Sequence, residues 1–262
     1  MKLGLENKSV IVMASSSGIG MGVAKEFAKE NANIMLFGRS KDRLEQAKQE
    51  ILIETNNIVN YTIGDISSKE DIEKVVQNTI NIYGSVYALF NNTGGPITAS
   101  FDELNDQDWI SAFELTLLSY IRTIRAVLPI MRRAGIGRIV NNTSISIKQA
   151  IENLILSNTF RTGIVGLTKT LSRELAKDKI LINVVGAGKT DTERVKYLDS
   201  VRAKQMGVSI EEIQKQSVGS IPLRRYGRPD EIAKLVVFLC SKANTYITGQ
   251  SVLVDGGMVS GY

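Results

Sequence analysis

The stretch that decides the fold reads Met-Ala-Ser-Ser-Ser-Gly-Ile-Gly at residues 13–20, and a segment of helical period follows it at once. An apolar run at residues 9–13 predicts a buried strand before it. Small side chains let backbone N–H groups approach an anion, and a helix N-terminus adds partial positive charge. The stretch therefore predicts a phosphate-binding turn between a strand and a helix. When the turn is considered by itself, an ordinary helix cap remains the alternative, because serine-rich turns with glycine also cap helices that bind no ligand.

The same alternation of short apolar runs and helical periods continues outward along the chain. Apolar runs predict seven strands, at residues 9–13, 33–37, 58–63, 86–90, 137–142, 180–185 and 251–254. Helical periodicity predicts helices at residues 18–29, 41–54, 69–82, 106–132, 151–176 and 229–241. Strands that are apolar on both faces indicate a parallel sheet with helices on both sides. We therefore expect one doubly wound α/β domain over residues 1–262.

Residues 190–220 depart from this regular pattern. The segment is rich in charge, its apolar spacing is weak, and it follows the sixth predicted strand. Ligands of doubly wound sheets bind outside the carboxyl ends of the strands, so the segment is expected to cover a substrate as a lid. A solvated helical insertion is the alternative reading.

The composition excludes several classes of protein. Of the 262 residues, 43% are apolar, and 32 Lys and Arg against 27 Asp and Glu give a net charge of +5. Because these charges are interspersed, we expect neither a nucleic-acid partner nor a membrane anchor. With no histidine and only Cys240, a disulfide framework and a cysteine-cluster metal site are excluded. Since the commonest metal ligands are lacking, we expect no bound metal. No apolar signal core is visible near the N-terminus, so we expect a cytoplasmic protein.

Further motifs make the sequence similar to the short-chain dehydrogenase/reductase family, in its 3-oxoacyl-(acyl-carrier-protein) reductase-like branch. The family's Thr-Gly-x-x-x-Gly-x-Gly falls on residues 13–20, and its Asn-Asn-Ala-Gly falls on residues 91–94. Other matches lie at residues 166–169, 227–229, 248–250 and 254–257. The resemblance covers almost the whole chain. It implies a Rossmann fold, a nicotinamide dinucleotide, a small carbonyl or hydroxyl substrate, and a homotetramer that pairs the helices at 106–132 and 151–176.

The resemblance also assigns residues to the cofactor. These are Ala14, Ser16, Ser17, Gly18, Ile19, Gly20, Arg39, Asp65, Asn91, Gly94, Gly188 and Thr192. In the family, the residue at Asp65 meets adenine, and the one at Thr192 hydrogen-bonds the carboxamide. Two positions of the phosphate turn depart from the family's motif, with Met13 for Thr and Ala14 for the first Gly. The methyl group of Ala14 is expected to be tolerated if that residue keeps a negative φ.

The end of the second predicted strand bears on the choice of dinucleotide. NAD-binding proteins usually place an acidic residue there for the ribose diol, whereas a basic residue accommodates a 2′-phosphate. Gly38 stands at that position and Arg39 follows it, which favours NADP (NADPH) over NAD. The alternative is that Arg39 only begins a solvated helix together with Lys41 and Arg43.

The catalytic pattern of the family is broken in this sequence. The substrate-orienting serine matches Ser144, but the family's Tyr-x-x-x-Lys falls on Ser157 and Arg161, and its Asn falls on Thr116. A phenol ionises near pH 10 and a hydroxyl such as that of bulk water near 15.7, so Ser157 is a weaker acid by roughly five pKa units. Four residues apart on one helix, Ser157 and Arg161 share a face, and the guanidinium is expected to polarise a carbonyl or carboxylate.

Two hypotheses follow for function. The first is an NADP-dependent oxidoreductase whose catalytic residues are Ser144, Ser157 and Arg161, with Lys148 and Lys189 as weaker candidates for the acid. The second is a dinucleotide-binding protein without catalysis, a sensor or partner subunit. In that case Ser157 and Arg161 are polar residues that fill the space of a lost site.

Overall fold

The computed structural model describes residues 2–55 and 57–261, and its centre is one parallel sheet of seven strands. The strands are β1 Ser9–Val12, β2 Asn33–Gly38, β3 Val59–Ile63, β4 Ala88–Asn91, β5 Gly137–Ser144, β6 Ile180–Ala187 and β7 Ser251–Val254. Their spatial order is β3-β2-β1-β4-β5-β6-β7. The order reverses between β1 and β4, and ligand crevices of such sheets open at the carboxyl ends of the strands beside this switch point.

Helices cover the sheet on both faces. They are α1 Gly18–Lys29, α2 Lys41–Glu54, α3 Lys69–Tyr83, α4 Asp106–Phe113, α5 Ser119–Ala134, α6 Ile155–Glu174, α7 Glu193–Met206, α8 Ile210–Gly219 and α9 Pro229–Cys240. Within the two described ranges, no helix is both long and apolar enough to cross a membrane. All seven predicted strands and the doubly wound architecture are confirmed.

The core explains why the strands are apolar on both sides. Alternate residues of β1 point to opposite faces, as in any strand. Val10 belongs to the cluster that α1, α2 and α9 cover, whereas Ile11 belongs to the cluster that α3 and α5 cover. Both side chains are fully buried. A slip of one residue would exchange the two sets, so the double burial also fixes the register of the strand.

One predicted helix is interrupted in the structure. The helix expected at residues 106–132 consists of α4, a π-helical turn over Glu114–Leu118, and α5. Single π turns inside helices are frequent at functional sites. The helix expected at 151–176 is α6, which begins at Ile155 because an irregular segment precedes it. The segment at 190–220 contains α7 and α8. Its apolar periodicity is too weak to predict these two helices from the sequence.

Candidate active site

A cavity of about 830 Å³ opens at the carboxyl ends of β1, β4, β5 and β6. This volume lies within the range of roughly 300–1,000 Å³ that ligand clefts occupy. Its wall contains all three expected catalytic residues, Ser144, Ser157 and Arg161. Ten of the expected cofactor residues also line it: Ala14, Ser16, Ser17, Gly18, Ile19, Arg39, Asp65, Gly94, Gly188 and Thr192. Gly20 and Asn91 do not.

Gly20 lies behind the phosphate turn rather than in the cavity wall. A Cβ at this position would stand 2.2 Å from the carbonyl oxygen of Ala14. Only glycine therefore lets the first turn of α1 approach the loop that closely. Ser17, the N-cap residue of α1, makes no side-chain capping hydrogen bond, so the helix N-terminus faces the cavity without an internal cap.

Ala14 adopts a positive φ of 46°. Its methyl group was expected to be tolerated with a negative φ, so that condition is not met. The left-handed region costs a non-glycine residue about 1–2 kcal/mol. Neighbouring contacts hold the turn in this form: Asn92 Nδ2 donates to Ala14 O at 3.2 Å, and Phe37 N donates to Ser15 Oγ at 3.0 Å. Ala14 is thus a strained residue at the centre of the phosphate turn.

Asn91 points into the protein core instead of the cavity. Its Nδ2 donates to Asn141 Oδ1 at 2.9 Å, and its Oδ1 accepts from Thr123 Oγ1. Asn92 lines the cavity in its place. The physical reason is the alternation of side chains along β4, which sends neighbours to opposite sides. The motif on residues 91–94 identified the loop, but the residue in the wall is one position later.

The side of the cavity beside β2 and β3 carries the charges expected near a ribose. Arg39 is exposed and, within the described residues, makes no ion pair. Asp65 Oδ1 accepts from Ser67 N at 2.8 Å, which fixes the loop after β3. Arg43 also lines the cavity, and its Nη1 lies 3.1 Å from Glu193 Oε2 on α7. This exposed ion pair joins α2 to α7 at the cavity rim.

Ser157 and Arg161 form a hydrogen-bonded pair on α6. Arg161 Nε donates to Ser157 Oγ at 3.0 Å, and Arg161 Nη1 reaches Asn142 O at 3.4 Å. The two side chains are only 8% and 7% exposed, so the guanidinium is a buried cation. The hydroxyl of Tyr120 donates to the same carbonyl oxygen, Asn142 O, at 2.8 Å. Burial raises the pKa of Tyr120 far above its usual range.

Ser144 stands at the end of β5, and its Oγ accepts from Ser146 N at 3.3 Å. Its hydroxyl proton is therefore available to a ligand. Thr116, at the position of the family's Asn, lies in the π-helical turn and is fully buried outside the cavity wall. No described residue makes a hydrogen bond to Thr116 Oγ1.

The loop after β6 supplies the cavity wall beside the phosphate turn, where a Cβ on Gly18 would stand 3.4 Å from Thr192 Cγ2. A Cβ on Gly188 would stand 2.6 Å from Asp255 Cα, so this position needs glycine for close packing against the end of β7. Thr192 is the N-cap of α7, where its Oγ1 accepts from Val195 N at 3.3 Å. The helix that follows contributes Arg194, Val195 and Leu198 to the wall, so α7 covers one side of the cavity.

The two lysines considered as substitute acids lie elsewhere. Lys189 Nζ is hydrogen-bonded to Ser217 Oγ and stands 3.8 Å from Asp199 Oδ1. Burial lowers the pKa of Lys189, and burial also raises the pKa of the adjacent Tyr226 to about 12. Lys148 is exposed, and neither lysine lines the cavity. Lys189 instead anchors the loop after β6 to α7 and α8.

Sequence reasoning missed several residues of the wall, of which Arg43, Asn92, Thr93 and Arg194 are the polar ones that matter most. Asn92 and Thr93 belong to a motif that had been located, so the register of β4 was the missing information. Arg194 lies in the charge-rich segment, where nothing in the sequence distinguishes it from neighbouring charges.

Comparisons with known proteins agree with this geometry. A family model described as "Enoyl-(Acyl carrier protein) reductase" matches residues 13–259. The 3-oxoacyl-[acyl-carrier-protein] reductase FabG of Chlamydia muridarum is 31% identical over 254 residues, which cover 97% of this chain and 98% of that protein. Dehydrogenase/reductase SDR family member 4 of Oryctolagus cuniculus is 30% identical, over 98% of this chain and 95% of that protein.

Solved structures give the same result. L-sorbose reductase from Gluconobacter frateurii, in complex with NADPH and L-sorbose, superposes with a TM-score of 0.95 at 30% identity over 100% of both chains. An actinorhodin polyketide ketoreductase with NADPH superposes with a TM-score of 0.92 at 29% identity over 98% of both chains. Since the match spans nearly the whole sequence, this chain belongs to the short-chain dehydrogenase/reductase family of oxidoreductases, in its 3-oxoacyl-[acyl-carrier-protein] reductase-like branch.

Proposed function

We propose that this chain is an NADPH-dependent reductase of a small carbonyl compound, with Ser144, Ser157 and Arg161 around the reacting oxygen. One observation carries the proposal. These three side chains meet in the wall of the cavity that also contains the phosphate turn, and one of them is a buried guanidinium. A cation that is kept out of water and directed at a ligand site is suited to stabilise developing negative charge.

The residues of the cavity fit a dinucleotide. The uncapped N-terminus of α1 offers N–H groups and a partial positive charge to a pyrophosphate. Gly94 has no atom within 4 Å of the place where a Cβ would stand, which leaves room for the ligand. Thr93 Oγ1 is buried and has no hydrogen-bond partner among the described residues, as expected of a group that awaits one. Gly188 and Thr192 would lie at the nicotinamide.

The preference for NADPH over NADH rests on Arg39. It stands at the end of β2 in the cavity wall, where an acidic residue would repel a 2′-phosphate and an arginine would bind it. Because no described carboxylate pairs with Arg39, its guanidinium is available to the phosphate. Two structurally similar reductases were solved with NADPH.

When bound, NADPH supplies the hydride that reaches the carbonyl carbon. The chain acts on the carbonyl oxygen, which becomes negative as the hydride arrives. Because Arg161 Nε donates to Ser157 Oγ, the hydroxyl proton of Ser157 remains available to this oxygen, as does that of Ser144. The charge of Arg161 stabilises the oxyanion through the same short network. Solvent then supplies the proton that completes the alcohol.

The test of this proposal is NADPH consumption by the purified protein with a panel of ketones, aldehydes and oxo acids. We expect turnover with at least one class, and loss of turnover without a carbonyl substrate. No consumption with any member of the panel at saturating NADPH would contradict the proposal.

A second candidate function is cofactor binding without catalysis, which the replacement of a phenol by the weaker acid Ser157 favours. It predicts NADPH binding without turnover in the natural chain. The double variant Ser157→Tyr, Arg161→Lys distinguishes the two candidates. If only the double variant consumes NADPH, the natural chain is the binding protein.

We further propose that the chain forms a homotetramer through α4, α5 and α6. Ile110 on α4 is 51% exposed, and the rings of Trp109 and Phe113 contact Phe160 of α6 at 5.9 Å between centroids. This partly exposed apolar surface suits a partner copy. Light scattering should give four times the mass of one chain, and a monomer would contradict the proposal. A cytoplasmic location is proposed as well and is tested by cell fractionation.

A further inference from the structure

A second guanidinium, that of Arg194, lines the same cavity as Arg161. It lies in the first turn of α7, and its Nη2 donates to Pro96 O at 2.8 Å. Its Cζ stands 5.6 Å from the centre of the Tyr197 ring. A Cβ on Gly95 would lie 2.8 Å from Arg194 Nη2, so glycine at this position makes room for the guanidinium. The loop after β4 therefore holds Arg194 in place.

Neither of these two cations has an acidic partner among the described residues. Within the part of the chain that the structure describes, Arg161 donates to Ser157 Oγ and Asn142 O and lies beside the Tyr120 hydroxyl, and Arg194 donates to Pro96 O. Burial lowers the pKa of Arg194, the nearby Tyr197 raises it, and the positive charge of Arg161 lowers it further. Arg161 is a buried cation without a described counter-ion, which is costly, and the half-buried Arg194 adds a second positive charge to the same cavity wall.

Carboxylates of the cavity wall do not offset these charges. The wall contains only two among the described residues, Asp65 and Glu193. Asp65 accepts from the backbone N–H of Ser67, on the side of β3. Glu193 is paired with Arg43 at 3.1 Å. Arg161 and Arg194 therefore have no carboxylate of the described wall to offset their charge, and an anionic ligand would neutralise it.

The proposed phosphate sites of a dinucleotide have donor groups of their own. The pyrophosphate site is the N-terminus of α1, after β1, and the 2′-phosphate site is Arg39, after β2. Arg161 lies on α6 and contacts the end of β5, and Arg194 contacts the loop after β4. Three leucines, Leu115, Leu154 and Leu198, complete the wall with apolar surface. This is the place of a small substrate.

We infer that Arg161 and Arg194 form a binding site for the carboxylate of the substrate, which makes a short oxo acid the substrate class of the proposed reductase. The guanidinium fork matches a carboxylate with two parallel hydrogen bonds. The inference rests on the proposed function, because it names the substrate of the same site. Reduction converts the oxo acid and NADPH, with one proton from solvent, into the hydroxy acid and NADP.

Calorimetry tests the carboxylate site independently of turnover. Pyruvate and levulinate are titrated into the protein alone and into the protein saturated with NADPH, beside the methyl ester of each acid. The ester keeps the carbonyl and removes the charge. We expect each acid to bind at least about tenfold more tightly than its ester, which corresponds to about 1.4 kcal/mol. Equal binding of acid and ester would overturn the inference.

Variants assign the effect to the two arginines. Arg194→Gln should weaken acid binding about tenfold and leave ester binding unchanged. Arg161→Gln should weaken acid binding more than ester binding, because Arg161 also acts on the carbonyl oxygen that the ester keeps. Arg202→Gln is the matched control, because Arg202 is exposed on the same helix as Arg194 and lies outside the cavity wall. Arg202→Gln also removes one positive charge, and it should change neither acid binding nor ester binding. If Arg194→Gln does not fold, Arg194→Lys, which keeps the charge and loses the fork, should show a smaller loss.

The remaining outcomes separate this inference from the proposed function. Loss of acid binding in the NADPH-saturated protein would show that the arginines bind the cofactor's phosphates, and would overturn the carboxylate site. Tight binding of inorganic phosphate with no binding of the acids would do the same. Acid binding that survives in both forms, without any NADPH consumption, would support the carboxylate site and contradict the reductase.

Discussion

In the proposed function, the phosphate end of the cavity is built mainly from backbone, whereas the reaction end is built from side chains. At the phosphate end, the helix N-terminus of α1 and the close approach of Gly20 to Ala14 O make the site. At the reaction end, the hydroxyls of Ser144 and Ser157 and the guanidinium of Arg161 make it, on a strand end and a helix that have other roles in the fold.

This difference explains how each end is expected to respond to a substitution. A site made of backbone tolerates only residues that fit its conformation, so Ala14, one of two positions of the turn that differ from the family's motif, has a strained φ of 46°. A site made of side chains can change its chemistry while the fold stays as it is. In the proposed function, Ser157 and Arg161 take the positions on α6 where the resemblance places a Tyr and a Lys. Binding and chemistry are therefore separable by mutation.

The largest effect is expected at the reaction end. Arg161→Ala removes the buried cation and should lower kcat by on the order of 10²–10³, because a donor aimed at an oxyanion is lost. The dissociation constant of NADPH should change less than about threefold, because its phosphates lie at the other end of the cavity. Steady-state kinetics and calorimetry on the same preparation measure both.

Arg173→Ala, on an exposed position of the same helix, is the control for Arg161→Ala and should alter neither quantity. A fall in NADPH affinity as large as the fall in kcat would show that Arg161 serves binding, and the separation of the two ends would fail.

At the phosphate end, Gly20→Ala should weaken NADPH binding on the order of a hundredfold, which corresponds to about 2.7 kcal/mol. The added Cβ, 2.2 Å from Ala14 O, must push the turn away from α1. Calorimetry measures the affinity, and thermal unfolding checks that the variant is folded. Gly166→Ala on α6 is the control, since no atom lies within 4 Å of its Cβ position. Unchanged affinity in a folded Gly20→Ala variant would refute the backbone-built site.

Arg39→Ala should have a smaller and selective effect. Loss of a guanidinium at the 2′-phosphate should weaken NADPH binding about tenfold and leave NADH binding unchanged, since only NADPH carries that phosphate. Lys41→Ala, which removes an exposed charge two residues away and outside the cavity wall, serves as the control. An equal loss of NADPH binding and NADH binding would show that Arg39 does not select between the two dinucleotides.

The smallest effect is expected from Ala14→Gly, and it is a gain in both stability and affinity. Relief of the positive φ stabilises the fold, and the conformational entropy that glycine loses on folding opposes this gain. The net stabilisation should be about 0.5–1 kcal/mol. NADPH affinity should rise a few-fold as the methyl group leaves the turn. Lys179→Gly relieves a φ of 57° away from the cavity, so it should raise the melting temperature without changing affinity. A loss of stability in Ala14→Gly would disprove the strain.

Sequence patterns predicted the sheet because burial on both faces makes each strand a continuous apolar run, as in Val10 to Val12. They placed the phosphate turn because its small residues and the helix after it are adjacent in the chain. They placed Ser157 and Arg161 together because a spacing of four residues on a helix fixes a shared face. Local order in the chain was sufficient for each of these features.

What the sequence missed depends on contacts between distant segments. The φ of Ala14 is held by a hydrogen bond from Asn92, which follows β4. Asn91 points into the core because its side chain forms hydrogen bonds with Asn141 and Thr123. Arg194 reaches the cavity because Pro96, 98 residues earlier, accepts its hydrogen bond. No periodicity along α7 indicates this contact, so the second cation of the site becomes visible only in three dimensions.

The most direct test of the account follows the hydride itself. NADPH labelled with deuterium at the reactive carbon is incubated with the protein and the oxo acid that calorimetry shows to bind most tightly, and the product is examined by mass spectrometry. The account predicts deuterium on the reduced carbon with the natural chain, and at least tenfold slower labelling with Arg161→Ala. Bound NADPH and bound oxo acid with no deuterium in any product would contradict it.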